Sequence, residues 1–327
     1  MTQVSPAKVK VPHIHQVALV VKDLQKTMEN YWNILGIGPW DIFDMCPPMY
    51  SNLTYHGKPG QFTAKAGLAQ VGTTELEVIE PVSGDSIYSD FMEEHGEGLH
   101  HMQFLVDNAD EITQIMSKKG FPTLQSGHVN DGVFVYYDTV DALKTIWEVG
   151  QPPKAMSPNY HYPEKETEIS HARVKIKGIN QVALVVKDLQ QTMENYWNIL
   201  GIGPWEFIHM RPPALSNRTY HGKPVRFTMK YAHAMIGEMD LEPVEPVSGN
   251  SIYSDFLAEY GEGLHHLMIA ADNVDELAQR MSDSFPILMR GHINDGVFTY
   301  YDTVDALKTI YETWQPGRTM PTMNRYP

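Results

Sequence analysis

Residues 16–40 read QVALVVKDLQKTMENYWNILGIGPW, and residues 181–205 repeat them with a single change, Lys26 against Gln191. The reading of this stretch decides the fold. An uncharged run, QVALVV, has the length and branching of a buried strand. Asp23 then stands where a helix N-cap belongs, ahead of Leu24, Met28, Tyr31, Trp32 and Leu35 at helical spacing. Gly36, Gly38 and Pro39 stop that helix, and a second strand is expected over 40–45.

Outward from this stretch the whole chain proves to be written twice. TYHGKP occurs at Thr54 and Thr219, GEGLHH at Gly96 and Gly261, and DTVDALKTI at Asp138 and Asp302. The offset is 165 up to His101 and His266, and 164 from His128 and His292, so one residue is missing from the second copy between these points. A period this long marks two whole domains rather than a solenoid. Within each copy, strands are expected near 61–66, 74–79, 100–106, 122–126, 132–137 and 144–149, with a second helix over 109–119. Each copy is thus βαβββ twice over, and helices separated by three-strand runs mean α+β. The first domain is expected over 1–163, with modules at about 13–83 and 98–150. A polar linker over 164–177 leads to a second domain over 178–327, with modules at about 178–248 and 263–314.

Composition narrows the function. The 327 residues are 42% apolar and 10% aromatic, ample for packed cores. A formal charge of −15 excludes a duplex nucleic-acid binder, which needs a basic face. The single cysteine, Cys46, excludes a disulfide scaffold and a Cys-rich zinc site, and suits a reducing compartment. No apolar leader and no 18-residue apolar run is present, so a cytoplasmic protein without membrane contact is expected. A small-molecule substrate is the expected partner, with a homodimer left open.

Strand alternation proposes where chemistry sits. On the first strand Gln16, Ala18 and Val20 share a face; on the fourth, Glu75, Glu77 and Ile79 do. On the fifth, His101 goes with Gln103 and Leu105, opposite His100, Met102 and Phe104. On the last, Glu148 goes with Ile146. Gln16, Glu77, His101 and Glu148, repeated as Gln181, Glu242, His266 and Glu312, form an oxygen-rich set suited to a six-coordinate divalent cation. Taken singly, such a Glu reads as solvated and such a His as structural; their arrangement on four strands is what points to a metal. The methionines at helical spacing read as core.

The segments 15–40, TELEVIEPVSGDSIYSDF, GEGLHHMQFLVDN and FVYYDTVDALKTIWEV resemble the vicinal-oxygen-chelate superfamily, and within it the glyoxalase I and methylmalonyl-CoA epimerase branch. The resemblance covers nearly all of both copies. It implies that two βαβββ modules close into a cup around one metal, giving two cups. It also implies that the ligands fall on Gln16, not His15, and on Glu77, His101 and Glu148, with their second-copy counterparts. The implied cofactor is a divalent ion: zinc, nickel, cobalt or manganese. The implied chemistry is that of a lyase or isomerase, with proton abstraction beside a chelated carbonyl through an enediolate. Glu148 and Glu312 are the first candidates for the base, then Glu77 and Glu242.

Two departures from this branch speak against its best-known substrates. Val20 and Val185 stand where glyoxalase I carries an arginine for glutathione, and residues 61–72 lack the extra catalytic carboxylate of the epimerases. In their place each copy inserts a Pro-rich segment containing Tyr55, His56 and Lys58, or Tyr220, His221 and Lys223. These offer substrate contacts at the mouth, or else form an ordinary loop. GHVNDG and GHINDG read as hairpin turns first. Arg211, with His209 and Arg218, makes the second mouth more basic than the first, where Cys46, Asp44 and Leu53 stand. Two rival functions remain: a ring-cleaving dioxygenase using iron, which calls for two His and one carboxylate, and a non-catalytic binder of small molecules.

Overall fold

The structure, a computed structural model, describes residues 4–165, 170, 172 and 175–327. Half of the expected linker falls on 166–169, 171, 173 and 174, outside the described residues. Two compact bodies emerge.

The first copy runs β1 (Gln16–Val20), α1 (Leu24–Leu35), β2 (Trp40–Met45), β3 (Tyr50–Tyr55), β4 (Lys58–Pro59), β5 (Thr63–Val71) and β6 (Thr74–Ser83). There follow α2 (Ile87–Glu94), β7 (Gly98–Leu105), α3 (Ala109–Lys118), β8 (Thr123–Val129), β9 (Gly132–Tyr137), α4 (Val140–Leu143), β10 (Ile146–Gln151) and β11 (Tyr160–Tyr162). One curled sheet holds every strand, in the order β11-β2-β5-β6-β1-β7-β10-β9-β8-β3-β4. The second copy repeats that order strand for strand. Each βαβββ module is a four-strand half, and the halves join where β1 pairs antiparallel with β7.

The first helix forms as its sequence requires. The Asp23 carboxylate accepts the Lys26 N–H at 2.8 Å, and Gly36 ends the helix at φ 69°. Leu24, Met28, Tyr31 and Leu35 are buried against β5 and β6. Val17, Leu19, Leu76, Val78, Met102 and Phe104 are buried among the apolar side chains of the core. Alternation sends Gln16, Ala18, Glu75 and Glu77 to the opposite, concave face.

Besides the single-turn α4, three elements were not foreseen as such. The inserted segment is a hairpin, β3–β4, whose turn His56-Gly57 sits at φ 46° and 72°, the left-handed pair that a tight hairpin favours. Its β3 pairs with β8 of the other module, extending the sheet at that edge. Helix α2 begins with a capping box in which the Ser86 hydroxyl accepts the Ser89 N–H and Ser89 Oγ accepts the Ser86 N–H. The Pro-rich tail ends as β11, paired with β2.

The bodies are cut differently from the repeat. Residues 4–11 pack with the second copy, although the repeat places them at the head of the first. The Ser5 hydroxyl donates to the Trp197 carbonyl at 2.6 Å, the Val11 N–H donates to Leu200 O, and Val9 is fully buried. The corresponding residues 170 and 172 pack with the first copy, where the Ser170 hydroxyl donates to Trp32 O at 2.7 Å. Among the described residues no helix is long and apolar enough to cross a membrane.

Candidate metal centre

Four central strands, β6, β1, β7 and β10, bring the candidate donors together. Strand register places Glu75, Gln16, Gln103 and Glu148 in one row, and Glu77, Ala18, His101 and Ile146 in the next. The small Ala18 between Glu77 and His101 leaves the space into which the donors converge. His101 Nε2 lies 3.0 Å from Glu148 Oε2 and 3.5 Å from Glu77 Oε2. In the second copy His266 Nε2 lies 3.1 Å from Glu312 and 3.8 Å from Glu242. Each trio offers three ligand atoms within 4.8 Å of one another.

These residues fit a cation better than they fit each other. Gln16 is 4% exposed, Glu77 7%, His101 0% and Glu148 3%. Buried polar atoms are normally hydrogen-bonded. Yet Gln16 Oε1, Glu77 Oε2, His101 Nε2 and Glu148 Oε2 all lack a hydrogen bond, the short His101–Glu148 approach being misaligned for one. Two donors each about 2.1 Å from one ion and at right angles are about 3.0 Å apart, the spacing seen here. The amide is turned for this duty. Gln16 Nε2 donates to Glu75 Oε1 at 2.7 Å, which leaves the carbonyl oxygen bare. Burial pushes Glu77 up, Glu242 well up and Glu312 to about 8. Behind them burial raises Glu75 to about 7 and Asp240 to about 8. Such a cluster of carboxylates calls for a positive charge.

One expectation from alternation is corrected. His100 does not turn away from His101. The pairing of β7 with β1 shifts register between Ala18 and Leu19, so His100 and His101 form a β-bulge, and the second copy has the same shift at His265 and His266. The extra residue breaks the alternation and keeps His100 beside the site. His100 Nδ1 lies 2.8 Å from His101 Nδ1, and the same distance separates His265 from His266. For His101 Nε2 to offer a lone pair, Nδ1 must carry the proton and donate it to His100 Nδ1. Burial, the main cause, holds His100 and His265 well below the usual imidazole range, so they stay neutral acceptors. Replacing His100 by Phe removes that acceptor while keeping the ring packing. The expected result is about 10–100-fold weaker metal binding in the first site, read by competition with a chromogenic chelator. Unchanged affinity would remove His100 from this role.

Aromatic groups line the cup beside the donors. Tyr136 sits edge-on to His101 with centroids 4.9 Å apart, and its hydroxyl meets that of Tyr88 at 2.7 Å. Tyr88 and Phe91 of α2 cover His100. The motif residues of the insertion lie elsewhere. The Tyr55 hydroxyl donates to Asp90 of α2 at 2.7 Å, His56 Nε2 is 3.7 Å from the same carboxylate, and Lys58 is exposed. Tyr220 is bonded likewise to Asp255, His221 takes the same turn and Lys223 is exposed. They tie the hairpin to α2 rather than joining the donors. Arg211 is exposed too. Sequence reasoning missed Glu75, Asp240, His100, His265, Tyr88 and Tyr136. Only Glu75 and its counterpart Asp240, on the same strand faces as Glu77 and Glu242, carried a readable signal.

Residues 15–137 and again 180–300 match the glyoxalase/bleomycin resistance protein/dioxygenase superfamily. The chain belongs to this superfamily. Among relatives, mitochondrial methylmalonyl-CoA epimerase of Homo sapiens is 27% identical over 125 residues, 38% of this chain and 63% of that protein. An uncharacterized protein of Bacillus subtilis is 44% identical over 48 residues, 15% of this chain and 34% of its own length. The chain thus spans less than two thirds of the curated relatives it matches. A triple mutant of 4-hydroxymandelate synthase from Streptomyces coelicolor superposes with TM-score 0.60 at 14% identity, over 98% of this chain and 94% of that one. That likeness shows a shared two-domain fold. Superfamily members use divalent metals and most are enzymes, and each copy has one trio of side chains that could hold an ion.

Proposed function

We propose that each copy is a metal-dependent lyase or isomerase site that moves a proton next to the carbonyl of a small, vicinally oxygenated compound. The observation that carries this reading is the convergent donor set of each copy, two carboxylates and one amide for a single imidazole, whose donor atoms in the first copy are buried without hydrogen bonds. Gln16, Glu77, His101 and Glu148 would hold the ion in one copy, and Gln181, Glu242, His266 and Glu312 in the other. Bound there, a divalent cation supplies Lewis acidity that acidifies the carbon beside a carbonyl. Glu148, or Glu312, takes the proton on its carboxylate oxygen as the C–H bond breaks, and the electron pair passes to the carbonyl as an enediolate. The same carboxylic acid returns the proton to carbon. Glu77 and Glu242 keep their place while Glu148 and Glu312 work, because two carboxylates per site allow one to move. The packed tyrosines and phenylalanines of the cup exclude water from the carbanion. Val20 and Val185 speak for a substrate that is not glutathione-linked, and Cys46 for a cytoplasmic setting.

A second reading is the iron dioxygenase, favoured by the superposition along the whole chain with 4-hydroxymandelate synthase. Against it stands the single imidazole of each site, where such iron centres use two. His15, adjacent to Gln16, is replaced by Asn180 in the second copy. Two measurements on chain reconstituted with nickel, cobalt, manganese, zinc or Fe(II) separate them. The expected result is exchange of C–H for C–D in small 2-hydroxy and 2-oxo carbonyl compounds in D2O, seen by NMR, without oxygen uptake. Oxygen uptake with Fe(II) and an aromatic diol, and no exchange, would establish the alternative. Neither activity, with no ion retained, would leave a binder.

A further inference from the structure

The two cups do not present the same walls. Tyr50 and Ala66 in the first are Leu215 and Tyr231 in the second, so the extra tyrosine changes sides. Leu53 in the first packs against the cluster of Tyr50, Phe62, Tyr88 and Tyr136. Its counterpart is Arg218. Of the three changes that make the second mouth more basic, His209 and Arg211 are exposed, whereas Arg218 is half-buried.

Arg218 is built into the wall. Its guanidinium lies over the Phe227 ring, 5.6 Å from the centroid, and one Nη donates to the Phe227 carbonyl. Phe227 packs with Tyr253 and Tyr300, and Tyr300 meets the His266 ring at 4.9 Å. The Nε of Arg218 is buried without a hydrogen-bond partner. Arg226, replacing Gln61, stands beside it; the Val225 N–H donates to Arg218 O at 3.0 Å. Burial first, and Arg226 second, lower the Arg218 pKa. Neither guanidinium is ion-paired among the described residues, in a chain of net charge −15. A half-buried guanidinium with an unpartnered donor, next to a second cation, is a carboxylate receptor.

We propose that the second cup takes a ligand bearing a carboxylate remote from its chelating end, held by Arg218, and that the first cup takes one that is uncharged there. The inference rests on the metal reading above and adds the substrate class. The two copies are then two specificities on one chain rather than one site in duplicate.

The test compares 2-oxoglutarate with pyruvate, which share a chelating head and differ in the distal carboxylate. Metal content is counted in every sample before calorimetric titration. In the full chain with two ions bound, 2-oxoglutarate is expected to bind one site at least tenfold more tightly than pyruvate. R218L, which installs the residue of the first copy, should erase that preference with both ions retained, and R218K should keep part of it. L53R should create a second preferring site. Two ions without a preference, or a preference that survives R218L, would overturn this inference alone. A chain that holds no ion would overturn the metal reading and the inference with it.

Discussion

With Glu148 and Glu312 both changed to Gln, exchange of substrate hydrogen with solvent is expected to fall about 10²–10⁴-fold, the range a positioned general base contributes. Glutamine keeps the size of the side chain and an oxygen donor, so the ions should be partly retained and the loss should lie in proton transfer. Each acid sits on the last strand of its own module, in register with Gln103 or Met268. Because each belongs to a separate body, the single variants should silence one site each and leave the other. Measuring both singles and the double, with metal analysis on each, resolves the copies. Full exchange in the double variant would exclude these two residues as the base; loss of both ions would recast them as ligands only.

The second large effect is on stability. Burial raises Glu75 to about 7 and Asp240 to about 8, against ordinary values near 4. In the metal-free protein the folded state therefore holds protons that the unfolded chain has lost. Their contribution is complete below about pH 4 and is lost as the pH climbs through about 7 to 8. Each tenfold change in a proton's affinity on folding is worth about 1.4 kcal/mol, so between pH 5 and 8.5 the metal-free melting temperature should drop by roughly 5–10 °C. Metal reverses the trend, because deprotonated carboxylates bind it best. At a free metal concentration about 1,000 times Kd, each occupied site adds about 4 kcal/mol. Melting curves with and without EDTA across that range test this. A metal-free protein that is more stable at pH 8.5 than at pH 5 would contradict it.

How much of this could be read from the residues varies with the kind of signal. The first helix with its apolar stripe and capping Asp23, the second helix, and the alternating strands on which Gln16, Glu77 and Glu148 sit were legible because period and cap are local. Helix α2 was not. It is short, and its capping box uses Ser89 where Glu or Gln is the recognisable partner. The His pair misled for a definite reason: alternation assumes an unbroken ladder, and one extra residue at His100 breaks it. The hairpin carrying Tyr55 reads from its residues equally as a mouth contact or as an ordinary loop, because its Asp90 contact depends on a helix that the sequence does not announce. Arg218 was visible as a difference between copies, but only its stacking on Phe227 separates it from the exposed Arg211.

The placement of residues 4–11 and of Ser170 and Ala172 has a consequence for how the chain can be divided. Each half of the sequence ends its neighbour's body rather than its own, as two hands each wearing the other's cuff. A cut within 166–169 would hand both fragments a foreign terminus and deprive both of a native one. Val9 would leave its burial site, and the Trp32 and Trp197 carbonyls would lose their serine donors. The half that can stand by itself is therefore not the half that the duplication copied.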